Sequence, residues 1–132
     1  MYLVVIDANV WIKYARNKTI APLVNRFVTY NLLPVADNYL LSEVFEALVN
    51  NSWATTAQAI AIITYIRKIA YTTTARTVYG LSPDPKDNYL FDLAIQNNSP
   101  FIITDDTRLL SLTLKPRPIK SCAWFLKNFP VQ

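Results

Sequence analysis

Short apolar runs alternate with longer amphipathic segments along the whole chain. Residues 2–6 form a continuous apolar run rich in β-branched side chains, and such a run is typical of a buried strand in a parallel sheet. Similar runs predict further strands at residues 33–36, 72–78, 101–104 and, at a sheet edge, 116–120.

Helical periodicity and capping residues predict helices between these strands. The predicted helices cover residues 8–15, 19–30, 38–50, 52–70, 87–97, a short stretch that ends at 110, and 121–128. Residues 81–86 are predicted to form a loop, because the two prolines there disfavour regular structure.

The order of these elements, βααβααβαβαβα, predicts the fold class. It is typical of a doubly wound α/β sheet with helices on both faces. No repeat or internal linker interrupts it, and 132 residues suit one domain, so we expect residues 1–132 to form a single domain.

The composition excludes several kinds of catalytic site. The chain has no histidine, one cysteine (Cys122) and one glycine (Gly80). These counts remove histidine-based nucleophilic triads, zinc sites built on His or Cys, disulfide frameworks and glycine-rich phosphate loops. Any catalysis must therefore depend on carboxylates, hydroxyl groups, lysine and arginine.

Net charge and hydropathy restrict the possible functions less than these residue counts do. The net charge of +4 favours a polyanionic partner, although its basic residues are spread along the chain. No apolar run approaches about 18 residues and no signal segment is evident, so we expect a cytoplasmic protein that does not cross a membrane.

Acidic side chains follow the predicted strands. Asp7 ends the first strand, and Asp105 and Asp106 end the strand at 101–104. Ligands bind beyond the carboxyl ends of parallel strands, so the three carboxylates would meet if these strands are neighbours. Asp87, at a helix start, would also lie near an edge of the sheet. For each aspartate the alternative is a simple helix cap.

The remaining carboxylates have different expected roles. Glu43 and Glu46 share one face of a helix without a basic residue within four positions, which favours a site. We expect Asp37 to be a plain helix cap and Asp92 to be solvated. Clustered carboxylates need a cation, and oxygen ligands alone select Mg²⁺ or Mn²⁺. In a basic protein this pattern indicates a metal-dependent nuclease or phosphatase.

Five segments in the right order also resemble the PIN-domain ribonucleases, which include the VapC-like toxins of bacterial toxin–antitoxin systems. Residues 4–11 look like that family's opening strand and its D-x-N motif, residues 40–44 like the helix that supplies its glutamate, and residues 84–94 like the DPxDNxFLxLA segment of one toxin subgroup. Residues 101–110 resemble its T-x-D strand, and residues 119–126 resemble its final strand and helix.

The resemblance implies a three-layer α/β/α fold, a central parallel sheet of about five strands, and an acidic cluster that binds Mg²⁺ or Mn²⁺. By position, Asp7 and Asp106 would hold the metal directly, and Glu43 and Asp87 would complete the site or orient water. The implied supporting residues, and residues without an assigned role, are Asn9, Thr104, Asp84 and Arg108.

Two positions depart from the family pattern. Position 105 is often uncharged in the subgroup, and here it is Asp105, so Asp105 and Asp106 could exchange roles. The family often has a further Asp or Asn where this chain has Arg108, which would change the metal count or place a cation near the scissile phosphate.

The resemblance thus predicts a Mg²⁺-dependent endoribonuclease that acts as a toxin, with RNA as substrate, a small antitoxin as partner and a homodimeric state. The alternatives are a non-catalytic PIN-like module that binds RNA or protein and a haloacid-dehalogenase-type phosphatase, which normally needs an aspartate where Asn9 stands. The aromatic residues Trp11, Tyr14 and Trp53 either line a groove that stacks bases or an antitoxin helix, or pack in the core.

Overall fold

The structure, a computed structural model, describes residues 2–74, 85–113 and 115–130, with the backbone alone at 85–88. The elements are β1 Tyr2–Ile6, α1 Ala8–Arg16, α2 Ile20–Thr29, β2 Leu32–Ala36, α3 Asn38–Asn50, α4 Thr56–Ile69, β3 Tyr71–Thr72, α5 Pro85–Gln96, β4 Ile102–Ile103, α6 Thr107–Leu110, β5 Ile119–Lys120 and α7 Cys122–Asn128. Their order confirms the predicted alternation.

The strands form one five-stranded parallel sheet in the order β3-β2-β1-β4-β5. From the central β1 the chain moves outward through β2 and β3, and then returns to the other side of β1 for β4 and β5. The direction of winding therefore reverses between β1 and β4, and sheets of this kind leave a crevice at the carboxyl ends of the two strands at such a point.

Helices cover both faces of the sheet because its strands carry apolar side chains on both sides. Val4 and Ile6 pack with α1, α2, α3 and α7 on one face. Val5, one position out of phase, packs with the buried side chains of α5 on the other face. This arrangement confirms the three-layer α/β/α fold.

The fourth helix begins later than predicted. Ser52 does not open a helix: it has a φ of 58° and lies in the turn after α3. The helix begins at Thr56, where Thr55 and Gln58 form a reciprocal capping box. The side chains that can satisfy the free amides of the first turn therefore determine where α4 starts.

The region around the predicted loop also differs from expectation. Strand β3 ends at Thr72, whereas residues 72–78 were predicted to be a strand, and positions 75–78 lie outside the described residues. The predicted loop at 81–86 is wrong at its end, because Pro85 opens α5 two residues before Asp87. A proline is well suited to the first helical position, where no hydrogen bond from its nitrogen is needed. Asp84 lies outside the described residues.

The prediction that Asp92 is solvated is wrong. This residue is buried, with neighbours Leu90, Phe91, Leu93 and Ala94 that are buried as well. Helix α5 therefore has no broad polar face in this stretch, and a carboxylate placed there is enclosed. None of the helices in the described ranges is both long and apolar enough to cross a membrane.

Candidate active site

A cleft of about 560 Å³ opens at the crevice between the carboxyl ends of β1 and β4. Asp7 and Asp106, which follow these two strands, line it together with Glu43 from α3. Three of the four predicted ligands thus face one space. The fourth, Asp87, lies in the first turn of α5, where the structure describes the backbone alone.

Asp7 is held in place by hydrogen bonds on both carboxylate oxygens. Its Oδ1 accepts a hydrogen bond from the Ala8 amide at 2.7 Å. Its Oδ2 accepts one from the Thr104 hydroxyl at 2.8 Å and another from Asn9 Nδ2 at 3.2 Å. Asp7 is therefore a helix cap for α1, as the simple alternative predicted. Its second oxygen is in addition held by Thr104, at the end of the neighbouring strand.

Thr104 connects the two strand ends. Its single hydroxyl hydrogen goes to Asp7, so its lone pairs are free to accept hydrogen bonds from Asn9 Nδ2 at 3.2 Å and from the Asp106 amide at 3.0 Å. Asn9 Oδ1 in turn accepts a hydrogen bond from the Asp105 amide at 3.3 Å. Asn9 and Thr104 therefore fix the separation of Asp7 from the chain that carries Asp106.

The environment of Asp7 disfavours its charged form. The residue is only 8% exposed, and burial raises the pKa of Asp7 above its ordinary value. Hydrogen bonds from Thr104 and Ala8 oppose this rise, whereas the negative charges of Asp106 and Asp105 add to it. Asp7 is thus a buried carboxylate with like charges nearby.

Asp106 is in the opposite electrostatic state. It caps α6, and its Oδ1 accepts a hydrogen bond from the Arg108 amide at 2.9 Å. The Arg108 guanidinium also lies 3.2 Å from its Oδ2. Burial alone would raise the pKa of Asp106, but the hydrogen bonds and charge of Arg108 outweigh it and hold that pKa below its ordinary value.

Asp105 faces away from the cleft. Its Oδ1 accepts a hydrogen bond from the Cys122 amide at 2.9 Å, at the start of α7, and its Oδ2 lies 3.8 Å from Lys13 Nζ. Of the two aspartates that could exchange roles, Asp106 is the one that lines the cleft.

Comparison with protein families agrees with this geometry. The family model of the PIN domain matches residues 3–108, which include both strand ends and the glutamate helix. The chain belongs to the PIN-domain family. PIN domains are generally nucleases and usually use divalent metals, so membership indicates a hydrolase of the nuclease type. A search of curated proteins found no match.

The donors of this PIN domain fit a hard divalent cation by chemistry. Among the side chains that the structure describes, no group of three or more acidic residues is close enough to hold a metal ion. Carboxylates repel one another unless a cation neutralises them. Asp7, Glu43 and Asp106 nevertheless share one cleft and provide only oxygen ligands, which Mg²⁺ and Mn²⁺ prefer.

Two tyrosines of the PIN domain's cleft were not predicted as site residues. Tyr39 and Tyr89 both line it, and their rings meet edge to face with centroids 4.7 Å apart. The Tyr89 hydroxyl is buried and has no hydrogen-bond partner among the described residues. Burial, and then the charges of Asp7 and Glu43, raise the pKa of Tyr89, so its hydroxyl stays protonated. No helical or strand periodicity signals such residues, because they meet only across α3 and α5.

Proposed function

We propose that this PIN domain is a Mg²⁺- or Mn²⁺-dependent endoribonuclease that acts as the toxin of a toxin–antitoxin pair. The observation that carries the proposal is that Asp7, Glu43 and Asp106 line one cleft at the switch point of a PIN-family sheet. In the proposed site Asp7 and Asp106 hold the metal, and Glu43 and Asp87 complete it or orient water.

Each residue has a task that follows from its contacts. A bound divalent cation supplies Lewis-acid chemistry that activates water and stabilises charge on a phosphodiester. Thr104 and Asn9 fix the Asp7 carboxylate through Oδ2, so that its orientation does not depend on the ligand. Such supporting hydrogen bonds commonly change metal affinity or activity by about 10- to 100-fold.

Arg108 supplies a positive charge in an otherwise acidic cleft. Its side chain is 71% exposed, so the guanidinium can turn from Asp106 to a phosphate without leaving the site. A guanidinium binds two phosphate oxygens at once, and this geometry suits the substrate that the acidic cluster would cleave.

The test is cleavage of a mixed-sequence single-stranded RNA by purified protein in Mg²⁺, in Mn²⁺ and in EDTA. The variants are Asp7→Asn and its matched control Asp37→Asn. Asp37 is also a buried aspartate that caps a helix, accepting a hydrogen bond from the Leu40 amide at 2.8 Å, but it does not line the cleft. We expect metal-dependent cleavage in the wild type and in Asp37→Asn, and none in Asp7→Asn.

Equal cleavage by Asp7→Asn and the wild type would identify a contaminating nuclease and contradict the proposed site. If no RNA is cut, calorimetry with Mn²⁺ on the same proteins decides the question. An absence of Mn²⁺ binding in the wild type would contradict the proposal and favour a non-catalytic module that binds RNA or protein.

The toxin role has a separate test in living bacteria. Expression of the wild type should arrest growth and Asp7→Asn should not, while co-expression of a small reading frame adjacent to the gene should restore growth. Sedimentation of the purified protein tests the proposed homodimer. Growth unaffected by an active nuclease would contradict the toxin role and leave the nuclease activity standing.

A further inference from the structure

The cleft extends well beyond the acidic residues at its inner end. Along α3 its wall is formed by residues that recur at helical spacing, so the cleft follows one face of this helix. The stripe consists of Glu43, Glu46, Ala47, Asn50 and the adjoining Asn51. At about 1.5 Å per residue, Asn51 lies about 12 Å along the helix axis from Glu43.

The chemistry of the wall changes along this distance. The carboxylates lie toward the inner end, with Glu46 the outermost of them along α3, whereas the outer end carries the neutral amides of Asn50 and Asn51. Neutral amides can donate to and accept from the edges of nucleobases, and they do not repel a phosphate. The outer end therefore suits a nucleic acid strand better than it suits a metal ion.

A basic and aromatic pair adjoins the cleft-lining residues of α1 and α3 along the chain. Arg16 follows the cleft residue Ile12 by one turn of α1, and Trp53 follows Asn51 by two residues. The Arg16 guanidinium carbon lies 4.9 Å from the centre of the Trp53 ring. Trp53 is 43% exposed, whereas Trp11, which shares α1 with Arg16, is completely buried in the core.

We propose that Arg16 and Trp53 form a distal subsite for single-stranded RNA. The Trp53 indole stacks on a base, and the Arg16 guanidinium contacts the backbone phosphate beside it. Sequence-independent binding of single strands uses this combination of positive charge and aromatic stacking. At about 3.4 Å per stacked nucleotide, the 12 Å of α3 corresponds to about three to four nucleotides between the acidic end and the subsite.

This inference rests on the proposed nuclease function, and it favours RNA over a protein partner for two reasons. The pair continues a cleft whose inner end is suited to phosphodiester chemistry. In addition, the pair places an exposed cation beside a partly exposed aromatic ring, and single-strand binding uses this combination.

The test measures binding of fluorescein-labelled oligouridylates of three and twelve nucleotides by anisotropy. All variants carry Asp7→Asn so that the RNA stays intact. We expect Trp53→Ala and Arg16→Ala each to weaken binding of the twelve-nucleotide RNA by about tenfold, and binding of the trinucleotide by less than twofold. Trp53→Phe, which retains a stacking face, should recover most of the affinity.

Lys68→Ala is the matched control for charge, since it removes one exposed cation from the last turn of α4, away from the cleft. It should leave both affinities within twofold. Thermal unfolding of each variant separates loss of the subsite from loss of the fold, and Trp53→Leu, which keeps apolar bulk without a stacking face, should bind like Trp53→Ala.

Equal losses at both RNA lengths, or no loss at either, would overturn the distal subsite. The second result would make the pair a packing contact or a contact for a protein partner. These outcomes are distinct from failure of the proposed function. A wild type that does not cleave RNA, together with an Asp7→Asn protein that binds neither RNA, contradicts the nuclease. A wild type that cleaves RNA contradicts the subsite alone when Trp53→Ala and Arg16→Ala leave the affinities of the Asp7→Asn protein unchanged.

Discussion

Asp7 and Asp106 occupy equivalent places at the ends of two paired strands, yet their electrostatic environments are opposite. Each caps the helix that follows its strand. Asp7 is buried and its pKa is raised, whereas Asp106 is more exposed and contacts Arg108, which lowers its pKa. The same cap motif therefore occurs once in an environment that disfavours the charged carboxylate, at Asp7, and once where Arg108 balances the carboxylate's negative charge, at Asp106.

The difference determines what each aspartate gains from a cation. A positive ion at Asp7 would relieve the cost of a buried charge with like charges nearby. At Asp106 the same ion would compete with the Arg108 guanidinium, 3.2 Å away. We therefore expect the binding energy of a metal to depend chiefly on Asp7, and Arg108 to modulate it through Asp106.

The largest effect is expected from Asp7→Asn, which should lower the rate of RNA cleavage by about 10²- to 10³-fold and yet stabilise the protein. Removal of one such electrostatic group typically costs about this much. A raised folded-state pKa means that stability is fully present below the unfolded pKa and is lost as pH rises through the folded pKa. At pH 7 the asparagine avoids that loss, but its amide nitrogen cannot accept hydrogen bonds as the oxygen it replaces does, so the melting temperature should rise by no more than about a few degrees.

Asp37→Asn separates the effect on RNA cleavage from the effect on stability. Burial raises the pKa of Asp37 as well, so this variant should also be more stable at pH 7, with RNA cleavage unchanged. Melting curves at pH 3 and pH 7 provide the measurement, and the stability gain of both variants should shrink at pH 3. A destabilised Asp7→Asn at pH 7 would mean that the hydrogen bonds accepted by the Asp7 carboxylate outweigh the cost of its buried charge.

The next effect in size is expected from Thr104→Val, which keeps the shape of the side chain and removes the hydroxyl that joins the two aspartates. Asp7 Oδ2 would lose its 2.8 Å hydrogen bond, and the Asp106 amide would lose its acceptor. We expect a loss of about 1–3 kcal/mol in the free energy of unfolding and a 10- to 100-fold loss in Mn²⁺ affinity.

Denaturant unfolding and Mn²⁺ calorimetry measure these two losses. Thr104→Ser is the control, since it keeps the hydroxyl, and it should retain most of the Mn²⁺ affinity. An undiminished affinity in Thr104→Val would show that the strand ends hold Asp7 and Asp106 in position without this side chain.

The comparison of Asp7 with Asp106 also shows what the sequence could predict. The apolar run before Asp7 indicates a buried parallel strand, and the end of such a strand is a site edge. The place of Asp7 at the edge of the sheet was therefore predictable, but the sequence left open whether the strand at 101–104 lies beside it, and the pairing of β1 with β4 shows that it does. Local patterns were sufficient wherever one strand or one cap determined the geometry.

Features that depend on packing between elements could not be predicted in this way. Asp92 was expected on a solvated face, but α5 is buried around it. Asp105 and Asp106 have the same side chain, and only the approach of α7 to Asp105 shows which one faces the cleft. The Arg16–Trp53 contact likewise depends on the turn after α3. The start of α4 was predicted to lie in this turn, so the turn's course was not predicted.

A smaller effect is expected from Arg108→Gln, which removes the positive charge beside Asp106. The pKa of Asp106 should return toward its ordinary value, and Mn²⁺ affinity should rise by a few fold because the metal no longer competes with the guanidinium. Cleavage should nevertheless fall if Arg108 binds the phosphate. Mn²⁺ titration together with single-turnover cleavage separates these opposite changes.

Stability provides a second measurement for Arg108→Gln. A lowered folded-state pKa contributes stability above the unfolded pKa, and this is lost as pH falls through the folded pKa. The variant should therefore be slightly less stable at pH 7, by about 0.5 kcal/mol for a pair this exposed, and equal to the wild type at low pH. A fall in Mn²⁺ affinity would contradict competition between Arg108 and the metal.

The smallest effect is expected from Tyr89→Phe, which tests whether the buried hydroxyl beside Asp7 has a partner. Without one among the described residues, its removal should leave the melting temperature unchanged or slightly higher, since a buried unsatisfied donor is costly. The edge-to-face contact with Tyr39 is retained by phenylalanine. Tyr39→Phe is the control, because Tyr39 is 48% exposed and its hydroxyl should matter less. A clear loss of stability in Tyr89→Phe alone would mean that the hydroxyl donates to a carboxylate of the cleft, and Asp7 would then be less strained than its burial indicates.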